Sequence, residues 1–244
     1  MGTSKGYDAP TTPQWQKAKT VITNVARRGD FSPERINRVL GEFIGANGGP
    51  RSMAHGGGAI GGRRAGQHVA QSMGDFAQRI GQVGFHQALR DAGLERPEDK
   101  GTTEIAAFLT DYLSGSATTI DDADARAAAS RLLQELMEGL GRDEAEAVLS
   151  EALGEANLPE LINRYFAYLL YEQFCRVSYD RLAQRIGAEQ ADAFLSQIRT
   201  YIEARLREES QDRDLKAVDW HGPEGSRLSD AICEDILSIF GRGA

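Results

Sequence analysis

Seven small residues between Gly66 and Ala88 recur at spacings of 4, 4, 3, 4, 3 and 4, namely Gly66, Ala70, Gly74, Ala77, Gly81, Gly84 and Ala88. No strand period generates that series; it is the step of one face of an α-helix. Val69, Met73, Phe76, Ile80 and Val83 run beside it as a second, apolar stripe. A glycine inside a helix costs about 1 kcal/mol relative to alanine, so this many need a compensating gain. Close approach of another helix supplies one, because small residues permit short interaxial distances. The spacing predicts a helix over 66–88 whose small face, with Gly66, Ala70, Gly74, Ala77, Gly81 and Gly84, packs against a partner. A kinked or partly unfolded segment is the alternative. Arg63, Arg64, Asp75, Arg79 and Arg90 interrupt the run and exclude a membrane span.

The same helical period recurs along the chain. Trp15, Ala18, Val21, Ile22 and Val25 mark one helix, and Ser32-Pro33 opens a second that carries Ile36, Val39, Leu40 and Phe43. Further helices are expected from Thr102 or Thr103, from Asp121-Asp122, around Ala145 to Leu153, from Pro159 to Gly187, from Ala188 to about Leu215, and from about Pro223 to Phe240. The stretch after Pro159 is apolar nearly all round and reads as the central core helix. No alternating strand pattern occurs, so the expected fold class is all-α, a helical bundle. Nine of the 22 residues from 45 to 66 are glycine, which suits a flexible or tightly turned connection. The expected organisation is a flexible N-terminal tail over 1–13, a small helical unit over 14–45, a Gly-rich linker over 46–62 and a helical domain over 63–241.

Charge divides the chain. The net charge is −8, yet residues 1–100 carry 14 basic and 9 acidic side chains, and residues 101–244 carry 14 and 27. One reading is a nucleic-acid face built from Arg51, Arg63, Arg64, Arg79 and Arg90. The other is mutual attraction of the two halves or plain solvation, favoured by the absence of any Lys/Arg run longer than two. Two cysteines, Cys175 and Cys233, exclude a disulfide framework and a multi-cysteine zinc site. With no apolar leader after Met1 and no apolar run of about 20 residues, a cytoplasmic location is expected.

Several strings mimic catalytic motifs. Gly2-Thr3-Ser4-Lys5-Gly6 has the letters of a nucleophile elbow and His55-Gly56-Gly57-Gly58 those of an oxyanion loop, but the elbow needs a strand before it. Gly56 to Gly61 spells G-x-G-x-x-G without the preceding strand that a dinucleotide site requires. His55, His68, His86 and His221 form no metal-ligand spacing with one another or with a cysteine. Asp219-Trp220-His221-Gly222 reads as a turn before the last helix. We therefore expect no catalytic residues, no metal and no cofactor, and a chain that is not itself an enzyme.

The N-terminus offers different chemistry. A small residue after Met1 allows the initiator to be removed, leaving an unhindered α-amine on Gly2 with a pKa near 8. Many chains begin this way and stay unmodified, and the residues alone favour that reading. The myristoylation pattern fails because position 6 is Gly6.

The start Met1-Gly2-Thr3-Ser4, the Gly/Pro-containing tail, the Gly-rich basic segment from Gly56 to Gly66 and the acidic helical C-terminal half together resemble the QatB family of the bacterial Qat anti-phage defence system. The stretch Ile162-Asn163-Arg164-Tyr165-Phe166-Ala167-Tyr168 through Phe174-Cys175 is similar to that family's central helix. The resemblance implies a non-enzymatic component of a four-gene operon that acts with an ATPase (QatA), a QueC-like enzyme (QatC) and a TatD-like nuclease (QatD). It implies that the QueC-like partner activates a 7-deazapurine carboxylate with ATP and transfers it to the Gly2 amine, with Thr3 and Ser4 as recognition residues. The partner would hold the ATP and zinc. A nucleic-acid-binding adaptor and a structural scaffold that docks through the Gly/Ala stripe are the alternatives.

Overall fold

Helix boundaries follow the local chemistry of caps and breakers. The computed structural model describes residues 10–115, 119–138, 140, 142–208 and 218–241. Among them lie eleven α-helices, one 3-10 turn and no strand, in agreement with the all-α expectation. The helices are α1 Pro13–Arg28, α2 Pro33–Ala46, α3 Pro50–Ala54, α4 Arg63–Val83, α5 Phe85–Asp91, α6 Thr102–Ser114, α7 Ile120–Met137, α8 Arg142–Ala152, α9 Leu158–Ile186, α10 Ala188–Glu208 and α11 Pro223–Gly241. Proline occupies the first position of α1, α2, α3 and α11, where its fixed φ fits and its missing N–H is no loss. Thr12 caps α1 by accepting from the Trp15 N–H. Thr119 and Asp122 form a reciprocal capping box at α7. Ser32 stands at the cap position of α2, but its hydroxyl makes no capping bond. At α6 the cap is Gly101, one residue ahead of the expected threonines, and the Glu104 carboxylate accepts from the Gly101 N–H.

The single helix expected over 66–88 is two. Gly84 has φ +81, which ends α4 and starts α5. Its N–H still donates to Ile80 while its carbonyl accepts from Ala88, so the small-residue spacing runs on through a change of direction.

The chain divides into two units. One lies within Met1–Gly61, Leu170–Glu209 and Cys233–Ala244, the other within Gly62–Leu169 and Ser210–Ile232. The first is built on a chain of rings. Trp15 meets Phe43 edge-on at 5.7 Å, Phe43 meets Phe174 at 5.2 Å, and Phe194 bridges Phe174 and Phe31. Such contacts add about 0.5–1.5 kcal/mol each beyond the area they bury. The Gly-rich segment is fastened to this unit. Asn47 donates through Nδ2 to the Phe43 carbonyl and accepts the Ile60 N–H on Oδ1, and the Ile60 side chain is buried. Gly48 and Gly49, both near φ +90, supply the reversal after which α3 forms.

The second unit is organised by α4. Its Val69, Met73 and Phe76 are fully buried, with Phe76 against Phe85 and Tyr112. Across from Gly66 stand Leu169 and Phe166 of α9, where an added Cβ would come within 2.8 Å of Leu169 Cδ2. Gly74 receives the Trp220 indole, whose ring atoms lie 2.1–2.4 Å from where a Cβ would sit. The seven residues 165–171 of α9 are all buried, as expected for a core helix apolar all round.

Two substitutions of the same kind on α4 should therefore act in opposite directions. Gly74→Ala places a methyl inside a rigid indole and should destabilise by about 1–3 kcal/mol or more. Gly81→Ala meets only the Glu155 carboxyl at 3.6 Å, an ordinary contact, and should stabilise by up to about 1 kcal/mol. Urea midpoints of the two variants against the parent chain check both signs.

Candidate functional site

The tail is rooted on α1 before it leaves the described residues. Lys19 Nζ donates to the Pro10 carbonyl at 3.0 Å and Gln16 Nε2 to the Thr11 carbonyl at 3.2 Å. Together with the Thr12 cap these bonds fix the point from which the N-terminal residues depart. Gly2, Thr3 and Ser4 lie outside the described residues.

The small-residue face divides by exposure. Gly66, Ala70, Gly74 and Ala77 are buried inside the second unit, and Leu169 and Trp220 fill the space above Gly66 and Gly74. Gly81 and Gly84 are exposed. The inner four residues are thus occupied by the chain itself, and an indole fills the notch at Gly74 where the spacing suggested another helix.

The five arginines are dispersed in their bonding. Arg63 grips the buried Asp230 with two parallel bonds, Nε to Oδ1 at 3.1 Å and Nη2 to Oδ2 at 2.7 Å, and that pairing holds its guanidinium above its ordinary pKa. Gln67 donates to the same carboxylate at 2.7 Å and Gln71 to Ser226 at 3.1 Å, which ties α4 to α11. Arg90 binds Glu98 at 2.9 Å, and Arg79 lies 3.7 Å from Asp91. Arg51 and Arg64 are exposed. Three of the five positive charges are therefore already matched by carboxylates, which leaves little for a phosphate backbone.

The Asp219–Gly222 string forms the expected turn. The Asp219 carbonyl accepts from Gly222 and Gly225, and its Oδ1 accepts a second bond from the Gly222 N–H. Trp220 is 1% exposed, and its Nε1 has no partner among the described residues. Two polar ties flank it. Gln78 Nε2 donates to the Val218 carbonyl at 2.8 Å, and His221 pairs with Asp75. Sequence reasoning missed the match between Gly74 and Trp220. The signal was present as a helix-interior glycine and an isolated tryptophan, 146 positions apart. Burial pushes the Asp75 carboxyl above its ordinary value and Asp219 adds to this, against opposing pulls from His221 and Arg79.

The other histidines also face carboxylates or the backbone. His55 pairs with Glu234 at 3.0 Å and His86 with Glu146 at 2.6 Å, while His68 lies beside Gly115. Among the described residues no group of three or more His, Cys, Asp or Glu is placed to hold a metal, and no helix is long and apolar enough to cross a membrane.

A family model described as Qat anti-phage system associated protein QatB matches residues 48–240. The chain belongs to the QatB family. No curated protein and no solved structure matches it. Membership makes this QatB a component of an anti-phage defence system, with partners inside that system. The match takes in the Gly-rich turn, α4 with its Trp220 notch, and the Arg63–Asp230 clamp. It starts after Gly2, Thr3 and Ser4.

The raised Asp75 carboxyl has a consequence for stability. The folded chain keeps this proton to higher pH than the unfolded chain does, so this group's contribution falls as pH rises upward from 3.8 and is level above the folded pKa. Urea midpoints of the parent and Asp75→Asn, taken across acid pH, should show the parent losing stability relative to the variant over that window.

Proposed function

We propose that this QatB is a protein substrate and adaptor whose Gly2 α-amine is acylated by a QueC-like partner (QatC) using an ATP-activated 7-deazapurine carboxylate, and that the chain performs no catalysis itself. The Gly2 amine attacks the activated carboxyl carbon. An amide forms, the activating group leaves, and the amine gives up its proton. Thr3 and Ser4, small and polar, would be read by the partner's entrance. Attack needs the neutral amine, which a pKa near 8 provides in part at neutral pH.

The observation that supports this reading most is the rooting of the tail. Pro10 and Thr11 are held on α1, and Gly2 stands eight residues ahead of Pro10. Eight residues span at most about 28 Å. An enzyme docked on the helical body within that radius meets the amine as an intramolecular reactant, at effective concentrations in the millimolar range. A helical body with an amine on a short lead suits a substrate that must be recognised as a folded protein.

A nucleic-acid adaptor remains the alternative, resting on Arg51 and Arg64 once Arg63, Arg79 and Arg90 are matched by carboxylates. It predicts salt-dependent binding with a shallow slope, since few phosphates would be neutralised.

Intact mass of QatB co-expressed with its QueC-like neighbour checks the proposal. A single added mass should map to the Glu-C peptide Gly2–Glu34. Gly2→Leu, which retains Met1, should abolish the adduct, and Gly2→Ala should reduce it. An unmodified Gly2–Glu34 peptide in cells that resist phage, or full protection by Gly2→Leu, would overturn it.

A further inference from the structure

A cavity of about 220 Å³ opens between α8 and the first turns of α9. It lies below the roughly 300–1,000 Å³ of pockets that hold drug-sized ligands. One long side chain is the occupant it fits. Val148 and Ala152 of α8 and Leu161 of α9 give it an apolar wall, and Glu151 and Glu160, both exposed, stand at its mouth. Arg164 also lines it. That cation is already spoken for, because the Glu135 carboxylate binds Arg164 Nη2 at 3.0 Å and accepts from the Tyr168 hydroxyl. With Arg164 offset by Glu135, the remaining charge at the mouth is negative.

We infer that this cavity receives a lysine or arginine side chain presented by a protein partner. Its methylene stem would lie along Val148, Ala152 and Leu161, as long cationic side chains cover apolar surface while keeping the head in a polar environment. The head would meet Glu151 and Glu160. A planar guanidinium gains most, since it binds carboxylates through two parallel hydrogen bonds. The wider field agrees. Residues 101–244 carry 27 acidic against 14 basic side chains, which steers a basic surface toward this part of the chain. Neither the cavity nor its charge depends on the chemistry at Gly2, so the inference stands or falls separately from the acylation reading.

The test measures binding of the 244-residue chain to each purified component of its own Qat system at about 0.15 M salt. The variant is Glu151→Lys with Glu160→Lys. The charge-matched control is Glu95→Lys with Asp180→Lys, two exposed positions away from the cavity. Far-UV circular dichroism confirms that both remain helical. One component should bind the parent chain, lose about tenfold or more in affinity for the cavity variant, and lose at most about threefold for the control. Reversing a single basic residue on that component to Glu should restore binding to the cavity variant. Equal binding by parent and cavity variant, equal loss in variant and control, or no component that binds the parent would each overturn the inference. A self-association that the reversal abolishes would overturn the choice of a foreign partner. The adduct at Gly2 reads out the acylation proposal independently of all these outcomes.

Discussion

A missing methyl group at Gly74 sets the arrangement of the second unit. The Trp220 ring lies where any side chain at that position would be, and burying roughly 200 Å² of indole is worth about 5 kcal/mol. Against this stands one buried donor, Trp220 Nε1, without a partner among the described residues, at a cost of about 1–3 kcal/mol. The Asp75–His221 pair beside it involves an imidazole that is 76% exposed, and pairs of that kind contribute about 0–1 kcal/mol. Apolar burial therefore holds the turn at 218–222 on α4, and the ion pair only trims the balance. Gly225 extends the same constraint, because a Cβ there would reach within 2.3–2.6 Å of the Trp220 backbone. The start of α11 is thereby placed, and with it Ser226 and Asp230, which α4 reaches through Gln67, Gln71 and Arg63.

This order of events explains what the sequence could and could not reveal. The longer helices were legible because they carry their own period and punctuation, as Pro33 and Pro223 show, whereas α3 was not, since Pro50–Ala54 lies inside the Gly-rich stretch read as a linker. Pairings between distant segments were not, since they are set by shape. A run of small residues announces that something comes close, but the spacing is the same whether the neighbour is a helix backbone, as first expected, or an indole ring. The break at Gly84, which the kinked alternative allowed, could not be placed for a related reason. A glycine adopting positive φ reads in sequence like one serving a packing face. In the Gly-rich stretch, the fastening by Asn47 depends on a single side-chain amide that composition does not flag. Of the proposed modification site, the residues alone offer the unhindered Gly2 amine, a property of the covalent chain that requires no fold, while the roles of Thr3 and Ser4 rest on the family resemblance.

The arginines show how a charge pattern loses meaning once partners are known. Summed along the first hundred residues they suggest a basic face. In the folded chain Arg63 is consumed by a buried carboxylate, and Arg90 and Arg79 are matched by Glu98 and Asp91. A guanidinium held in a two-bond grip by Asp230 serves architecture, because releasing it to meet a phosphate would strip a buried carboxylate of its cation. Net charge by segment thus overstates the basic surface of this part of the chain. Part of the acidic surplus after residue 100 is spent in the same way, at Asp111, Glu135, Glu146, Asp230 and Glu234, whereas the exposed Glu151 and Glu160 are claimed by no ion pair among the described residues.

The proposed acylation of Gly2 sets a requirement of selectivity. An N-terminal glycine is common, and three or four tail residues offer an enzyme little surface with which to discriminate. Selectivity then has to come from the folded body, with the tail delivering the reactive atom. Rigid rooting serves that division. If Pro10 were free, the radius swept by the amine would grow and its local concentration at a docked enzyme would fall roughly as the −3/2 power of tether length. Bonds from Lys19 and Gln16 hold Pro10 and Thr11 on α1, so the proposed tether counts only the residues ahead of them. The body needs only one specific contact elsewhere to bring the partner within that radius. An acidic side-chain-sized cavity on the QatB-matched part of the chain meets that requirement without asking the helices to carry any chemistry of their own.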